Sequence, residues 1–342
     1  MKKHLNTVYV TTNGSYLCLE GEAIVVKVDG EVKGRLPMHM LESIVCFGYI
    51  SCSPQLMFAA SERGICIAWF SEHGRFLARV GGPVSGNILL RKSQYRHSED
   101  SYRKAVIARS FVLGKVANCR SVLMRCLRDH PEASGVEVQH AIDAMADSIQ
   151  SASECIDVDA LRGIEGMAAS HYYKVFDKLI LVGVDDFRFN GRSRRPPLDQ
   201  VNALLSFIYT MLVHDCVSAL EGVGLDPQAG FLHADRPGRP SLALDLMEEF
   251  RAYIADRLVL SLINRRQICA SGFTKSESGA VLMDDETRKK VLVGYQERKS
   301  EKLRHPFLDE QVTVGMLPHL QARLLARYLR GDIDEYPPFL TR

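Results

Sequence analysis

Gly81-Gly82-Pro83-Val84-Ser85-Gly86 divides the chain into two kinds of sequence. Glycines and a proline packed this closely end whatever periodicity precedes them. Before the break, short runs alternate apolar and polar residues. Residues 5–12 alternate and close on Asn13-Gly14, and residues 23–28 and 31–36 flank Asp29-Gly30. Both dipeptides are hairpin signals. Residues 43–47 and 65–70 are apolar runs of buried-strand length, 76–80 reads as a last strand, and 54–63 has helical spacing with Pro54 at its start. After the break, apolar residues recur at helical spacing over 89–127, 136–152, 160–181, 197–220, 242–262, 285–303 and 311–329. The expectation is an α+β multidomain chain. A small β-sandwich-like domain occupies 1–83, and a larger all-α domain occupies 84–342. The tail, Tyr336-Pro337-Pro338-Phe339-Leu340, reads as an ordered or partner-binding end.

Composition fits two folded domains. The 342 residues exceed what one small core usually serves, and 46% are hydrophobic. No signal peptide and no apolar stretch of spanning length are read, which implies a cytoplasmic protein with no membrane attachment. Nine cysteines are scattered without a Cys-x-x-Cys, which argues against a disulfide framework or a structural zinc site.

A net charge of +2 hides a pattern. Residues 88–128 carry ten Lys/Arg against two acids, and residues 132–160 carry seven acids and no Lys or Arg. A dipolar surface of that kind suits an anionic polymer, and solvated helix faces are the plain alternative. A second basic stretch is Phe187-Arg188-Phe189-Asn190-Gly191-Arg192-Ser193-Arg194-Arg195-Pro196-Pro197. Arginine forks bind phosphate and aromatics stack on unpaired bases, whereas an exposed connector would need neither.

Between and after these basic stretches come acids and a histidine. Glu165 stands in a helical segment, in Gly163-Ile164-Glu165-Gly166, on the face that also carries Ala169, Tyr172 and Phe176. Glycines inside a helix are easier to understand where a backbone or a ligand approaches closely. His233 follows Gly230-Phe231-Leu232 and precedes a Pro-rich basic loop containing Arg239. An imidazole offers a metal its nitrogen near neutrality without first losing a proton. Asp245, Glu248 and Glu249 cluster within one turn of a helix, on the side opposite Leu246, Met247, Phe250 and Ile254. Carboxylates with one imidazole suit Mn²⁺ or Mg²⁺, and three ligands leave positions open for water and phosphate. Plain solvation of each acid is the alternative reading.

In combination these motifs resemble the CRISPR-associated integrase/endonuclease that inserts new spacers into CRISPR arrays. The resemblance runs essentially end to end. It is carried first by Leu41-Glu42-Ser43-Ile44-Val45-Cys46-Phe47-Gly48, Gly74-Arg75-Phe76, Leu90-Arg91 and Gln94-Tyr95. It continues through the Glu165 motif, Gly191-Arg192-Ser193-Arg194-Arg195-Pro196-Pro197, Val201-Asn202-Ala203-Leu204-Leu205-Ser206-Phe207-Ile208-Tyr209, Gly230-Phe231-Leu232-His233 and Asp245-Leu246-Met247-Glu248-Glu249-Phe250-Arg251.

The resemblance implies an N-terminal β-domain, a helical catalytic domain and a homodimer. It implies that two dimers are bridged by a smaller CRISPR-associated adaptation protein. It also implies double-stranded DNA, both incoming spacer and CRISPR repeat, as substrate, and a Mg²⁺ or Mn²⁺ ion held by Glu165, His233 and Glu248. Many members carry Asp where this chain has Glu248, which makes Asp245 the reserve ligand or supporting partner. By position Tyr172, Arg192, Arg194, Tyr209 and Arg239 would contact DNA. The reaction implied is attack by a DNA 3′-hydroxyl on a phosphodiester. A metal-dependent nuclease without integrase role and a non-catalytic nucleic-acid-binding scaffold are the alternatives.

Overall fold

The structure is a computed structural model. It describes residues 7–41, 43–72, 76–80, 82, 88–183 and 185–341. The start of the 5–12 run, Glu42, Gly74, Arg75 and most of the Gly81–Gly86 break therefore lie outside the described residues. The chain divides into two compact units, Met1–Ser85 and Gly86–Arg342.

The first unit runs β1 (Thr7–Val10), β2 (Tyr16–Glu20), β3 (Ala23–Val28), β4 (Glu31–Pro37), β5 (Ser43–Phe47), β6 (Ser51–Cys52), α1 (Pro54–Glu62), β7 (Cys66–Phe70) and β8 (Phe76–Val80). Two four-stranded sheets form, ordered β4-β3-β2-β6 and β1-β5-β7-β8. Asp29-Gly30 joins β3 to β4 as an antiparallel hairpin, with φ of 51° and 82°. Asn13-Gly14 does not make the hairpin its residues advertise. β1 pairs parallel with β5 instead, and β2, which alternation had not revealed, belongs to the other sheet. The turn is held by Tyr49, whose N–H donates to Asn13 Oδ1 at 2.9 Å and whose carbonyl accepts from Gly14 N–H at 2.9 Å. β5 and β7 are also parallel, which requires a crossover, and α1 supplies it. Ser53 caps α1 by accepting from Leu56 N–H, with Pro54 in the first turn. Leu17, Ile24 and Met38 meet Ile44, Cys46, Ile67, Leu56 and Ala60 in one core between the sheets and the helix.

The second unit is mainly helical. Its helices are α2 (Ile88–Glu99), α3 (Ser101–Asp129), α4 (Pro131–Glu154), α5 (Val158–Lys174), α6 (Gln200–Val223), α7 (Ser241–Glu248), α8 (Arg257–Asn264), α9 (Asp285–Ser300) and α10 (Leu317–Arg330). Two ribbons, β9 (Phe273–Lys275) with β10 (Val281–Met283) and β11 (Lys302–Arg304) with β12 (Gln311–Thr313), qualify the all-α expectation. The single helix expected over 89–127 is broken at Asp100, whose carboxylate caps α3 by accepting from Arg103 N–H at 2.9 Å. The single helix expected over 242–262 is also broken. α7 ends at Glu248, and Arg251–Asp256 winds as a π-helix before α8.

α6 is long and apolar enough to span a membrane, contrary to the reading that no such stretch exists, but 67% of that window is buried inside the unit. It is a core helix, packed on α7 and α10. None of the nine cysteines is in a disulfide.

Candidate metal and nucleic-acid site

α3 carries an apolar stripe, including Phe111, Val112, Val116 and Cys119, that packs against its neighbours. Lys115 lies in that stripe and is 6% exposed. Its ammonium contacts Glu165 Oε1 on α5 and lies 2.6 Å from Glu248 Oε2 at the end of α7. Two carboxylates far apart in sequence are thus drawn onto one cation. The contact to Glu248 Oε2 falls outside hydrogen-bond angles, so that buried oxygen has no well-directed donor. Arg251, one turn on, donates to Glu248 Oε1 at 2.7 Å, and its guanidinium lies 4.2 Å from the Tyr209 ring centre. Burial pushes the Glu248 carboxyl up, but Arg251, Lys115 and His233 outweigh burial and hold it well below the usual carboxylate range. Burial pulls the Lys115 ammonium down and Arg251 adds to this, yet Glu248 and Glu165 leave it raised.

His233 is placed by Asp245. The Asp245 carboxylate accepts from the N–H groups of Phe231 (2.6 Å), Leu232 (3.0 Å) and His233 (2.8 Å), and its Oδ1 lies 2.6 Å from His233 Nδ1. With Nδ1–H committed to that carboxylate, Nε2 is the ring's free lone pair. Gly230 is needed here, because a Cβ would lie 2.7 Å from Ser241 Cβ and 3.0 Å from Asp245 Oδ2. Arg162 ties the Glu165 helix to the same loop, Nε donating to Leu232 C=O at 2.6 Å. Asp245 is therefore the support of the histidine. It is fully buried and both its oxygens are bonded, an arrangement that matches the supporting-partner alternative of the two read from sequence.

The donor set fits a hard divalent ion in kind. It comprises two carboxylates, one with a buried oxygen lacking a directed donor, and an imidazole with its far nitrogen free. Among the described residues no group of three His, Cys, Asp or Glu closes into a metal-holding arrangement. The Lys115 ammonium stands between the carboxylates, so the convergence expected from sequence is present for Glu165 and Glu248 only as a lysine-bridged pair.

Several other sequence expectations change. Asp245, Glu248 and Glu249 are all buried rather than on a polar face. Glu249 turns away from the site. It accepts from Tyr336 OH at 2.5 Å, Gln321 Nε2 at 2.8 Å and Phe339 N–H at 2.7 Å, and burial still pushes its carboxyl up to about 8. A Cβ at Gly163 or Gly166 would meet nothing within 4 Å, so among the described residues no backbone from outside the helix approaches there.

Tyr172 is 1% exposed, packed on Tyr173 and Phe176. Tyr209 is 6% exposed, its OH bonded to Asp256 and Tyr173. Neither ring is open to DNA. Arg192 also turns inward, donating to Asn202 Oδ1 at 2.6 Å and Ser206 Oγ at 3.1 Å. Arg194 and Arg195 are exposed, and Arg239 is half-buried. The basic block on α3 is partly used inside the fold. Arg109 donates to Ser153 C=O and Arg120 to Ile142 C=O, both on α4.

Sequence reasoning missed Lys115 and gave Arg251 no role. The available signal was a lysine flanked one turn either side by Phe111 and Cys119, a charge on an apolar stripe.

A β-sheet unit followed in the chain by a helical unit that draws two carboxylates onto one lysine, with a histidine fixed by an aspartate and arginines left exposed, is the class of a DNA-processing enzyme. The sequence profile of the family "CRISPR associated protein Cas1" matches residues 8–297. The chain belongs to the Cas1 family. A relative from Chlorobaculum tepidum, CRISPR-associated endonuclease Cas1 1, is 56% identical over 343 residues, covering 100% of both chains. A Cas1 protein from Thermotoga maritima has the same fold, with TM-score 0.82 and 25% identity over 98% of this chain and 100% of that one. A casposase bound to integration product shares the fold at TM-score 0.86 and 21% identity, covering 99% and 95% of the two chains.

Proposed function

We infer that this protein is a metal-dependent DNA endonuclease and integrase that inserts short DNA fragments into a CRISPR array, using Glu165, Glu248 and His233 Nε2 to hold Mg²⁺ or Mn²⁺. The observation that carries this reading is the meeting of Glu165 and Glu248 on one cation, beside a histidine whose Nδ1 is locked by Asp245. When bound, the ion supplies Lewis acidity to the attacking 3′-hydroxyl and the leaving oxygen of a phosphodiester. The chain supplies the rest. Asp245 orients the imidazole. Arg251 holds Glu248 ionised and fixes which oxygen faces the site. Exposed Arg194 and Arg195, with Arg239, offer phosphate contacts.

The assembly reading is a homodimer built through the β-sheet unit. Two such dimers are bridged by a smaller CRISPR-associated adaptation protein on double-stranded DNA in the cytoplasm. Two-ended insertion needs two strand-transfer sites, which one chain does not provide.

The test is integration of a short duplex into supercoiled plasmid with Mg²⁺ or Mn²⁺, with and without the smaller protein. Wild type should yield integrants, and Glu165→Ala should yield neither integrants nor nicks while still binding DNA. Nicking without integration under every condition would favour the plain nuclease. An active Glu165→Ala would leave the scaffold reading.

A further inference from the structure

Lys115 lies at the centre of the ligand set without being a ligand. A lysine on a helix ordinarily carries its ammonium out to water along its flexible stem. This one is 6% exposed and ends on two carboxylates. Burying two like charges side by side is costly unless a cation lies between them. Here that cation is part of the chain. Its two partners, Glu165 and Glu248, are the carboxylates read above as metal ligands.

We propose that Lys115 is the built-in cation of the metal-free site: its ammonium holds Glu165 and Glu248 facing one another, takes the ground a divalent ion would occupy between them, and withdraws from at least one of them when the ion binds. The proposal rests on the metal reading of Glu165, His233 and Glu248. Three observations support the exchange. One ammonium is shared between Glu165 Oε1 and Glu248 Oε2, so it can give up one carboxylate and keep the other. Glu248 keeps a second cation, because Arg251 grips its other oxygen at 2.7 Å and is itself packed on Tyr209. Lysine can leave where arginine cannot, because a four-carbon stem re-rotates while a guanidinium stacked on a ring stays. Metal binding is then an exchange of cations. The site suffers no carboxylate repulsion before the ion arrives, and its affinity for the ion is set lower than the three ligands alone would give.

The experiment is calorimetric titration of the full-length protein with Mn²⁺ at neutral pH and fixed ionic strength. It compares wild type, Lys115→Met, and His233→Ala as the control for the site. His233→Ala should lose the tight site. Lys115→Met should bind Mn²⁺ roughly tenfold or more tightly than wild type. It should also melt at a lower temperature without metal and gain more on adding it. If Lys115→Met binds no more tightly while His233→Ala loses the site, the exchange is overturned and the metal reading stands. If His233→Ala binds as wild type does, the metal reading falls and the exchange falls with it. Should Lys115→Met not fold, a crystal structure of the Mn²⁺-soaked wild type decides. Nζ beyond about 4 Å of at least one carboxylate supports the exchange. Nζ still paired with both beside a bound ion overturns it.

Discussion

Asp245 gathers three backbone N–H groups and the His233 ring onto one carboxylate. Oδ1 serves His233 N–H and Nδ1, and Oδ2 serves Phe231 and Leu232 N–H, so neither oxygen can be replaced by an amide without turning donors against donors. Asp245→Asn should therefore cost at least about 2 kcal/mol in a denaturant titration. It should also weaken Mn²⁺ binding by about 10–100-fold, because the imidazole loses its orientation. Unchanged metal affinity would show that His233 needs no such support. Asp256, on the π-helix, makes a pH prediction. Burial raises its carboxyl to about 6, against hydrogen bonding from Tyr209 and the charge of Arg251. The fold thus favours the neutral acid. Its contribution to stability is full below the unfolded value of 3.8 and is lost as pH rises through about 6. Between about pH 3 and about pH 7, wild type should lose stability relative to Asp256→Asn, by up to about 3 kcal/mol over that span. A gap between the two proteins that does not change with pH would contradict this.

At the scale of elements, the C-terminal tail straps α3 to the end of α7. Asn118 donates to Glu249 C=O at 2.7 Å and Phe339 C=O at 2.8 Å, and accepts from Thr341 N–H at 2.8 Å. Phe339 is fully buried, and Tyr336 OH reaches Glu249. The strap fastens the residue after Glu248 and the helix that bears Lys115. Tyr336→Phe leaves the ring and removes one donor to a buried carboxyl. It should cost about 1–3 kcal/mol by thermal or urea unfolding, and truncation after Glu335 should cost more. A truncated chain as stable as wild type would mean the tail merely rests on the surface. The tail was legible as an ordered end because Tyr, Phe and two prolines sit close together. Its partner was not, because Glu249 looks like a solvated acid until Gln321 of α10 and the tail's Tyr336 and Phe339 are folded onto it. The Asn13-Gly14 turn failed as a signal for a related reason. A dipeptide specifies a reversal of the chain, but which strand is then paired depends on where the rest of the sheet lies.

At the scale of the whole molecule, the loop arginines separate by what they touch. Arg194 and Arg195 are exposed, whereas Arg192 braces the loop on Asn202 and Ser206. Replacing Arg194 and Arg195 with Ala should flatten the log–log salt dependence of DNA binding by about 0.9 for each phosphate no longer neutralised. Arg192→Ala should lower stability and leave that slope unchanged. A slope altered by Arg192→Ala alone would reverse the assignment. Light scattering should give about twice the chain mass for the full-length protein and the single-chain mass once residues 1–80 are removed. A monomeric full-length protein would remove the dimer reading.

Sequence alone determined the order of a β-rich unit before a helical one, the β3–β4 hairpin, and the candidate ligands Glu165, His233 and Glu248. The first two are written in local periodicity and turn chemistry, which act over a few neighbouring positions, whereas the choice of Glu248 within its acidic turn rests on the family resemblance. The tertiary structure alone decided that Lys115 stands between two of those ligands, that Asp245 serves the histidine, that Glu249, Tyr172 and Tyr209 are buried, and that half-buried Arg192 is bonded within the chain. These outcomes depend on which helix faces pack together, because burial turns an acid from a solvated group into one that must find a cation or a donor.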